Sequence, residues 1–241
     1  MPENIIVKTK VGEVLKNVLR IQKTKTGKWY LCVPCELMVT TSESQGGIIA
    51  LDPGIRTFLT GYSPDGELLQ IGDNDINLIR KYLIKTDKFK SKISKLKGKT
   101  KRRCIKALLK RYLKVKNWVK DCHRKTVKHL IDNYDYIILP PFQSKQMSQR
   151  HQRNINSQTV RNMLTWSHYK FRVMLLQKAE QYNNKHVLCP TEEYTSKTCT
   201  RCGNIKTDLG GNKIYNCIKC GLKIDRDING SRNIFIKCLS Q

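Results

Sequence analysis

The 241-residue sequence predicts an α/β protein, a mixed β-sheet flanked by helices with a four-cysteine zinc ribbon inserted in it. Three observations carry this. Gly47-Ile48-Ile49-Ala50-Leu51-Asp52 is an apolar run that ends in a carboxylate and leads into a hairpin pattern. Tyr136-Ile137-Ile138-Leu139 is a continuous apolar run stopped by Pro140-Pro141, as in a buried parallel strand. Cys199 and Cys202 form one C-x2-C pair and Cys217 and Cys220 a second after 14 intervening residues, so two thiolate knuckles can close a tetrahedral site.

Taken in order, residues 1–46 read as a short β-rich N-terminal remnant, with β-like runs at Trp29 to Val33 and Glu36 to Val39 and a turn signal at Thr24 to Gly27. Thr40 to Gly47 is polar and ends in glycine, as linkers do. Beyond the strand ending at Asp52, Arg56 to Tyr62 and Glu67 to Ile71 flank Ser63-Pro64-Asp65-Gly66, whose Pro and Gly sit where a tight turn needs them. From Asn74 to His129 the apolar residues change to helical spacing (Ile76, Ile79, Leu83, then Ile105, Leu108, Tyr112, Val115, Val119), with Gly98 separating two helices. Val160, Leu164, Phe171, Leu175 and Ala179 mark one further helix, His186 to Cys189 a short strand before Pro190, and Ile228 to Cys238 a last helix. This order is ribonuclease-H-like. It divides the chain into a core at 47–194 with a basic helical insertion at about 74–130, a ribbon at 195–222, and a C-terminal helix at 223–241 that completes the core.

Forty-six Lys and Arg against 19 Asp and Glu give a net charge of +27, which opposes the compact state unless a polyanion neutralises it. Nucleic acid is the expected partner. Twenty-one of those 46 bases lie between Arg80 and Lys128 with only Asp87 and Asp121 against them, a surface suited to tracking a phosphate backbone. Trp118, Tyr112 and Trp166 could stack on unpaired bases, but each fits an apolar helical stripe, which favours core packing. No apolar run approaches the ~20 residues of a spanning helix, and Met1 to Lys10 holds no signal-peptide apolar region, so an intracellular, soluble protein with no membrane partner is expected. Cys32, Cys35, Cys104, Cys122, Cys189 and Cys238 are scattered, as buried thiols in a reducing compartment are.

A closed four-cysteine zinc site is structural and leaves no open position for chemistry. Catalysis has to sit elsewhere. Hydrolysis of a phosphodiester by two divalent ions needs clustered carboxylates, and strand-end acids on a rigid sheet supply them well. Asp52 ends the first core strand and Asp227 begins the last helix. Each also has a plainer reading, Asp52 as a turn former and Asp225 or Asp227 as a helix N-cap.

Leu51-Asp52-Pro53-Gly54 with Arg56-Thr57-Phe58, Tyr194-Thr195-Ser196-Lys197-Thr198-Cys199 with the ribbon, and Asp225-Arg226-Asp227-Ile228-Asn229 together resemble the C-terminal half of the TnpB/Fanzor family. Leu164-Thr165-Trp166-Ser167-His168-Tyr169 with Phe171-Arg172 fits the same family. These are transposon-encoded, RNA-guided nucleases with a RuvC-like domain interrupted by a zinc ribbon. The resemblance implies Mg2+-dependent DNA cleavage, Asp52 and Asp227 as catalytic acids, Asp225 as a structural neighbour, and DNA and a guide RNA as partners. Bacterial members carry a glutamate where this chain has Pro140-Pro141-Phe142-Gln143, and neither proline nor glutamine is an anionic ligand. The Fanzor branch, where that glutamate is replaced by one just before the ribbon, is the nearer match. Glu192 takes the place here by its spacing to Tyr194, with Glu193 second. About 46 residues precede Gly47, too few for the family's upstream β-barrel and helical modules. A catalytically silent, nucleic-acid-binding remnant is the competing expectation.

Overall fold

The computed structural model describes residues 19–34, 38–42, 46–151, 155–191, 193–206 and 210–240. The expectations for Glu192, for Cys35 and for a run starting at Glu36 lie outside the described residues. A hairpin of β1 (Arg20–Lys23) and β2 (Trp29–Cys32) comes first. The main sheet follows: β3 (Gly47–Pro53), β4 (Leu59–Tyr62), β5 (Leu68–Ile71), then α1 (Asp75–Ser94) and α2 (Gly98–Asn133) before β6 (Tyr134–Ile138). After the one-turn α3 (Ser144–Ser148) come α4 (Ser157–Trp166), α5 (His168–Ala179) and β7 (His186–Leu188). The ribbon pairs β8 (Ile214–Asn216) with β9 (Lys223–Asp225), which passes directly into α6 (Arg226–Leu239).

The five main strands lie in the order β5-β4-β3-β6-β7, with β3, β4 and β5 antiparallel and β6 and β7 parallel to β3. The sheet is therefore mixed, in the ribonuclease-H-like arrangement expected. Strand alternation sends its two faces to different helices. Leu51, Ile137 and Leu139 join Ile79, Leu83, Val119, Leu130, Trp166, Phe171 and Leu175 in the main core under α1, α2, α4 and α5. Ala50 and Ile138 instead meet Ile234 of α6, with Ile48, Phe235 and Cys238 packed around them. Even-numbered positions of β3 thus face α6, and Asp52 is the next of them.

The single helix expected from Val160 to Ala179 is two. Ser167 adopts left-handed φ 54° and separates α4 from α5. The break lets Trp166 Nε1 donate to the Ile55 carbonyl at 3.0 Å while His168 Nε2 meets the Gly54 carbonyl at 3.0 Å. In a continuous helix, residues two apart point about 200° from each other and could not both reach one loop. The strand expected from Arg56 begins only at Leu59, because residues 54–58 form that loop, closed by Gly54 N–H to the Phe58 carbonyl at 3.1 Å. Met38 and Val39 form no strand, and Thr40 instead bridges to Tyr182 beyond α5.

Candidate active site and zinc ribbon

The four cysteines of the ribbon converge, their sulfurs all within 4.8 Å of one another. Cys199 and Cys220 Sγ lie 3.6 Å apart, as do those of Cys202 and Cys217. A tetrahedron of Zn–S bonds near 2.3 Å has edges of about 3.8 Å, so the donors fit zinc, and they lie far beyond the ~2.05 Å of a disulfide. The two knuckles are built alike. Gly203 N–H donates to the Cys199 carbonyl at 2.9 Å and Gly221 N–H to the Cys217 carbonyl at 3.0 Å, with φ 71° and 72° that only glycine adopts without strain. Amides of Cys220 and Lys219 directed at Cys217 pull its thiol down to about 6. Cys220 is pushed up to about 12 by burial and the adjoining sulfurs, against the Leu222 amide that favours its thiolate.

Helix α6 is seated against Asp52. Gly230 packs so closely on β3 that a Cβ there would clash with Asp52 Oδ2. Asp227 lies one turn before Gly230 on the same side of the helix. The capping role falls to Asp225, whose Oδ1 accepts from the N–H groups of Asp227 at 2.9 Å and Ile228 at 3.3 Å. Asp227 is left free of that task. Burial raises its carboxyl above the usual carboxylate range and Asp225 adds to this, while Arg226, Lys213 and Arg56 oppose it. Among the described residues no third His, Cys, Asp or Glu completes a cluster with these two acids. Glu193 is exposed, and its backbone carbonyl accepts from Lys237 Nζ at 3.2 Å.

The loop after Asp52 rests on a buried aromatic stack. The Phe58 ring is sandwiched between His123 at 5.1 Å and His168 at 5.0 Å, with Trp166 and Phe171 against it. His123 Nε2 meets the Trp166 carbonyl at 2.9 Å. Burial holds both imidazoles neutral, His123 down to about 4 and His168 to about 3. Helix α6 also grips the entrance to the ribbon. Asn229 Nδ2 donates to the Thr198 carbonyl at 2.8 Å, its Oδ1 accepts from Thr200 N–H at 3.2 Å, and Asn233 Nδ2 donates to the carbonyls of Thr195 at 2.8 Å and Thr198 at 2.7 Å.

Sequence reasoning missed Gly230, Asn233 and His123. Gly230 had a signal, since a glycine inside a helix costs stability and marks a close approach. Asn233 had none, because its partners are backbone carbonyls more than thirty residues away.

The basic segment forms a helical hairpin of α1 and α2. Its two acids are already engaged, Asp87 by a two-pronged pair with Arg161 and Asp121 with Lys125 at 2.8 Å. No α2 residue before Val115 is buried, and the bases there are exposed except Lys101 and Arg111, which are half-buried. Trp166 is core, as expected, with 1% exposure. Trp118 departs from that expectation: it keeps 40% exposure, edge-on to Tyr82 with Lys114 over its ring. No described helix is long and apolar enough to cross a membrane.

The fold and the cysteine cluster define a ribonuclease-H-like α/β protein carrying a zinc ribbon. Residues 168–234 match the family model of the Cas12f1-like TNB domain. The chain is 32% identical over 222 residues to A625R of Paramecium bursaria Chlorella virus 1, a protein named as a transposase, covering 92% of this chain and 50% of that protein. It is 32% identical over 224 residues to the TnpB-like protein L79 of Acanthamoeba polyphaga mimivirus, covering 91% of this chain and 42% of that protein. The structure of a CRISPR-Cas12f ternary complex superposes with TM-score 0.51 at 15% identity, over 90% of this chain and 44% of that one. The chain is thus a relative of the TnpB-type proteins and corresponds to their C-terminal part. It spans about half the length of the curated relatives it matches.

Proposed function

We propose that this chain is the cutting part of a transposon-associated, RNA-guided DNA endonuclease, with Asp52, Asp227 and Glu192 as the acids that hold Mg2+. The observation that supports the reading is the seating of the Asp52 carboxylate against Gly230, one helical turn after Asp227. Hard carboxylate oxygens are the donors a divalent magnesium site uses. Such ions, when bound, supply an activated water and a stabilised leaving oxygen. The protein's own part is to hold Asp52 on a strand end and Asp227 on a capped helix, and to keep the 54–58 loop fixed through Trp166 and His168. Glu192 directly precedes Glu193 in sequence, and the Glu193 carbonyl accepts from Lys237 of α6. In this reading the zinc ribbon is an insert that positions acids and takes no chemical part.

The single test is cleavage of labelled single-stranded DNA with Mg2+ or Mn2+ by the parent and by Asp52→Ala, Glu192→Gln and Asp227→Ala. Loss of cutting in all three with DNA binding kept is expected, and full cutting by Glu192→Gln would remove that residue from the site. One observation favours a second reading, a catalytically silent DNA-binding remnant: Pro140 and Pro141 stand where bacterial relatives carry a carboxylate. A parent that binds DNA and cuts none at saturating metal decides for the remnant.

A further inference from the structure

At the ends of β3 and β6, on the α5 side of the sheet, lies a cavity of about 90 Å³. Its walls include Pro53, the residue after Asp52, together with Pro140, Pro141 and Phe142, while Tyr169 and Arg172 of α5 complete it. Prolines and a ring make these walls apolar and rigid. Tyr169 is 66% exposed, an amphipathic ring left in water. Arg172 lies over that ring at 5.9 Å, has no acidic partner among the described residues, and leaves its buried Nε without an acceptor. The cavity has the share of about three liquid waters, so it admits the edge of one small ring and no base pair.

These features converge on one ligand chemistry. An apolar pocket with an exposed aromatic ring in its wall suits the edge and face of an unpaired base, and stacking is tolerant of sequence because every base has a π-face. An unpaired guanidinium at the same place is suited to a phosphate. We infer that the pocket takes one unpaired base, a pyrimidine better than a purine, from the single DNA strand presented to Asp52 and Asp227, with Arg172 on that nucleotide's phosphate. The inference rests on the nuclease reading for which strand enters, and it gives the prolines that replace the bacterial carboxylate a binding role. Capture of one base would fix which phosphate lies over the two acids.

The test is photo-cross-linking of zinc-loaded protein, without added magnesium, to an oligothymidine carrying a single 5-iododeoxyuridine, followed by peptide mapping. Cross-links are expected on residues 139–142 and 168–172, foremost on Tyr169. Tyr169→Ala and Arg172→Ala should each cut that yield at least about fivefold, within the range of one base–aromatic stack, while affinity for the whole oligonucleotide changes less than about threefold because the basic hairpin carries most of it. Tyr169→Phe should retain the yield. Cross-links confined to residues 80–128, or an unchanged yield in Tyr169→Ala, would overturn the pocket. A parallel cleavage assay with Mg2+ separates the two ideas. Cross-links in the pocket without cutting leave the pocket standing and sink the nuclease reading, whereas cutting at one phosphate by parent and Tyr169→Ala alike sinks the pocket alone.

Discussion

Gly230 is where a single atom decides how the Asp52 carboxylate sits against α6. Alanine is the better helix former by about 1 kcal/mol, and α6 holds position 230 in ordinary helical conformation, so Gly230→Ala would be neutral or stabilising on propensity alone. Its Cβ would displace the Asp52 carboxylate. A shift near 1 Å at a reacting group costs on the order of 100-fold in rate. Gly230→Ala is therefore expected to keep its zinc and its DNA affinity while cleavage falls about 100-fold, measured as a single-turnover rate. The histidines flanking Phe58 give a second residue-level prediction. Both have folded pKa values below the ordinary 6.5, so the unfolded chain binds protons that the folded one does not. Their contribution is complete above about pH 6.5 and is lost as pH falls toward 4 and 3. By pH 5 the loss is about 2 kcal/mol for each. The ring resonances of His123 and His168 should stay at their neutral positions down to pH 5, and titration of either near 6.5 would refute the assignment.

Helix α6 works as a clamp, capped by Asp225 and holding the ribbon entrance through Asn229 and Asn233. Asn233→Ala strips a donor from two carbonyls, one of them in a buried contact, and such unmade bonds cost about 1–3 kcal/mol. A lower Tm is expected, with faster loss of zinc to a chelator than in Asp225→Ala, which removes only a cap worth about 1 kcal/mol. Elements of this kind divide by how much of their cause is local. The apolar runs at 47–52 and 136–139 and the Ser63 to Gly66 turn were legible in the sequence because strand alternation and turn chemistry are short-range properties. The helix break at Ser167 was not. Phe171 and Leu175 continue the period of Val160 and Leu164, and the reason for the break is a pair of carbonyls at Gly54 and Ile55, over 110 residues away. Asp52 and Asp227 could be named as strand-end and helix-start acids, yet what seats Asp52 against α6 is the missing side chain of a glycine that no apolar periodicity marks.

At the scale of the molecule, a charge of +27 is distributed so that the acids of β3 and α6 and the basic hairpin are separate bodies of side chains. The acids sit between β3 and α6, while the α1–α2 hairpin extends its bases from the opposite face of the sheet. The two acids between Arg80 and Lys128 are engaged, Asp87 by Arg161 outside the hairpin and Asp121 by an exposed neighbour, so neither offsets the bases from Lys97 to Arg103, of which Lys101 is half-buried and the others exposed. Those residues carry no buried contact, and neutralising them costs the fold little. A strand held there releases counterions as it binds, and for single strands the logarithm of affinity falls with the logarithm of salt at about 0.7 per phosphate contacted. Lys97→Gln, Lys99→Gln, Lys101→Gln, Arg102→Gln and Arg103→Gln combined should lower that slope by up to about 3.5 if each base meets one phosphate. The Tm should stay within about 2 °C of the parent, since surface changes of this kind are nearly neutral. Fluorescence anisotropy of a labelled oligonucleotide between 50 and 300 mM salt measures the slope, here as a rough working range. An unchanged slope would mean that the strand runs elsewhere, and the groove between α2 and α5 lined by Lys120, Arg124, Lys128 and Lys178 would be the surface to neutralise next.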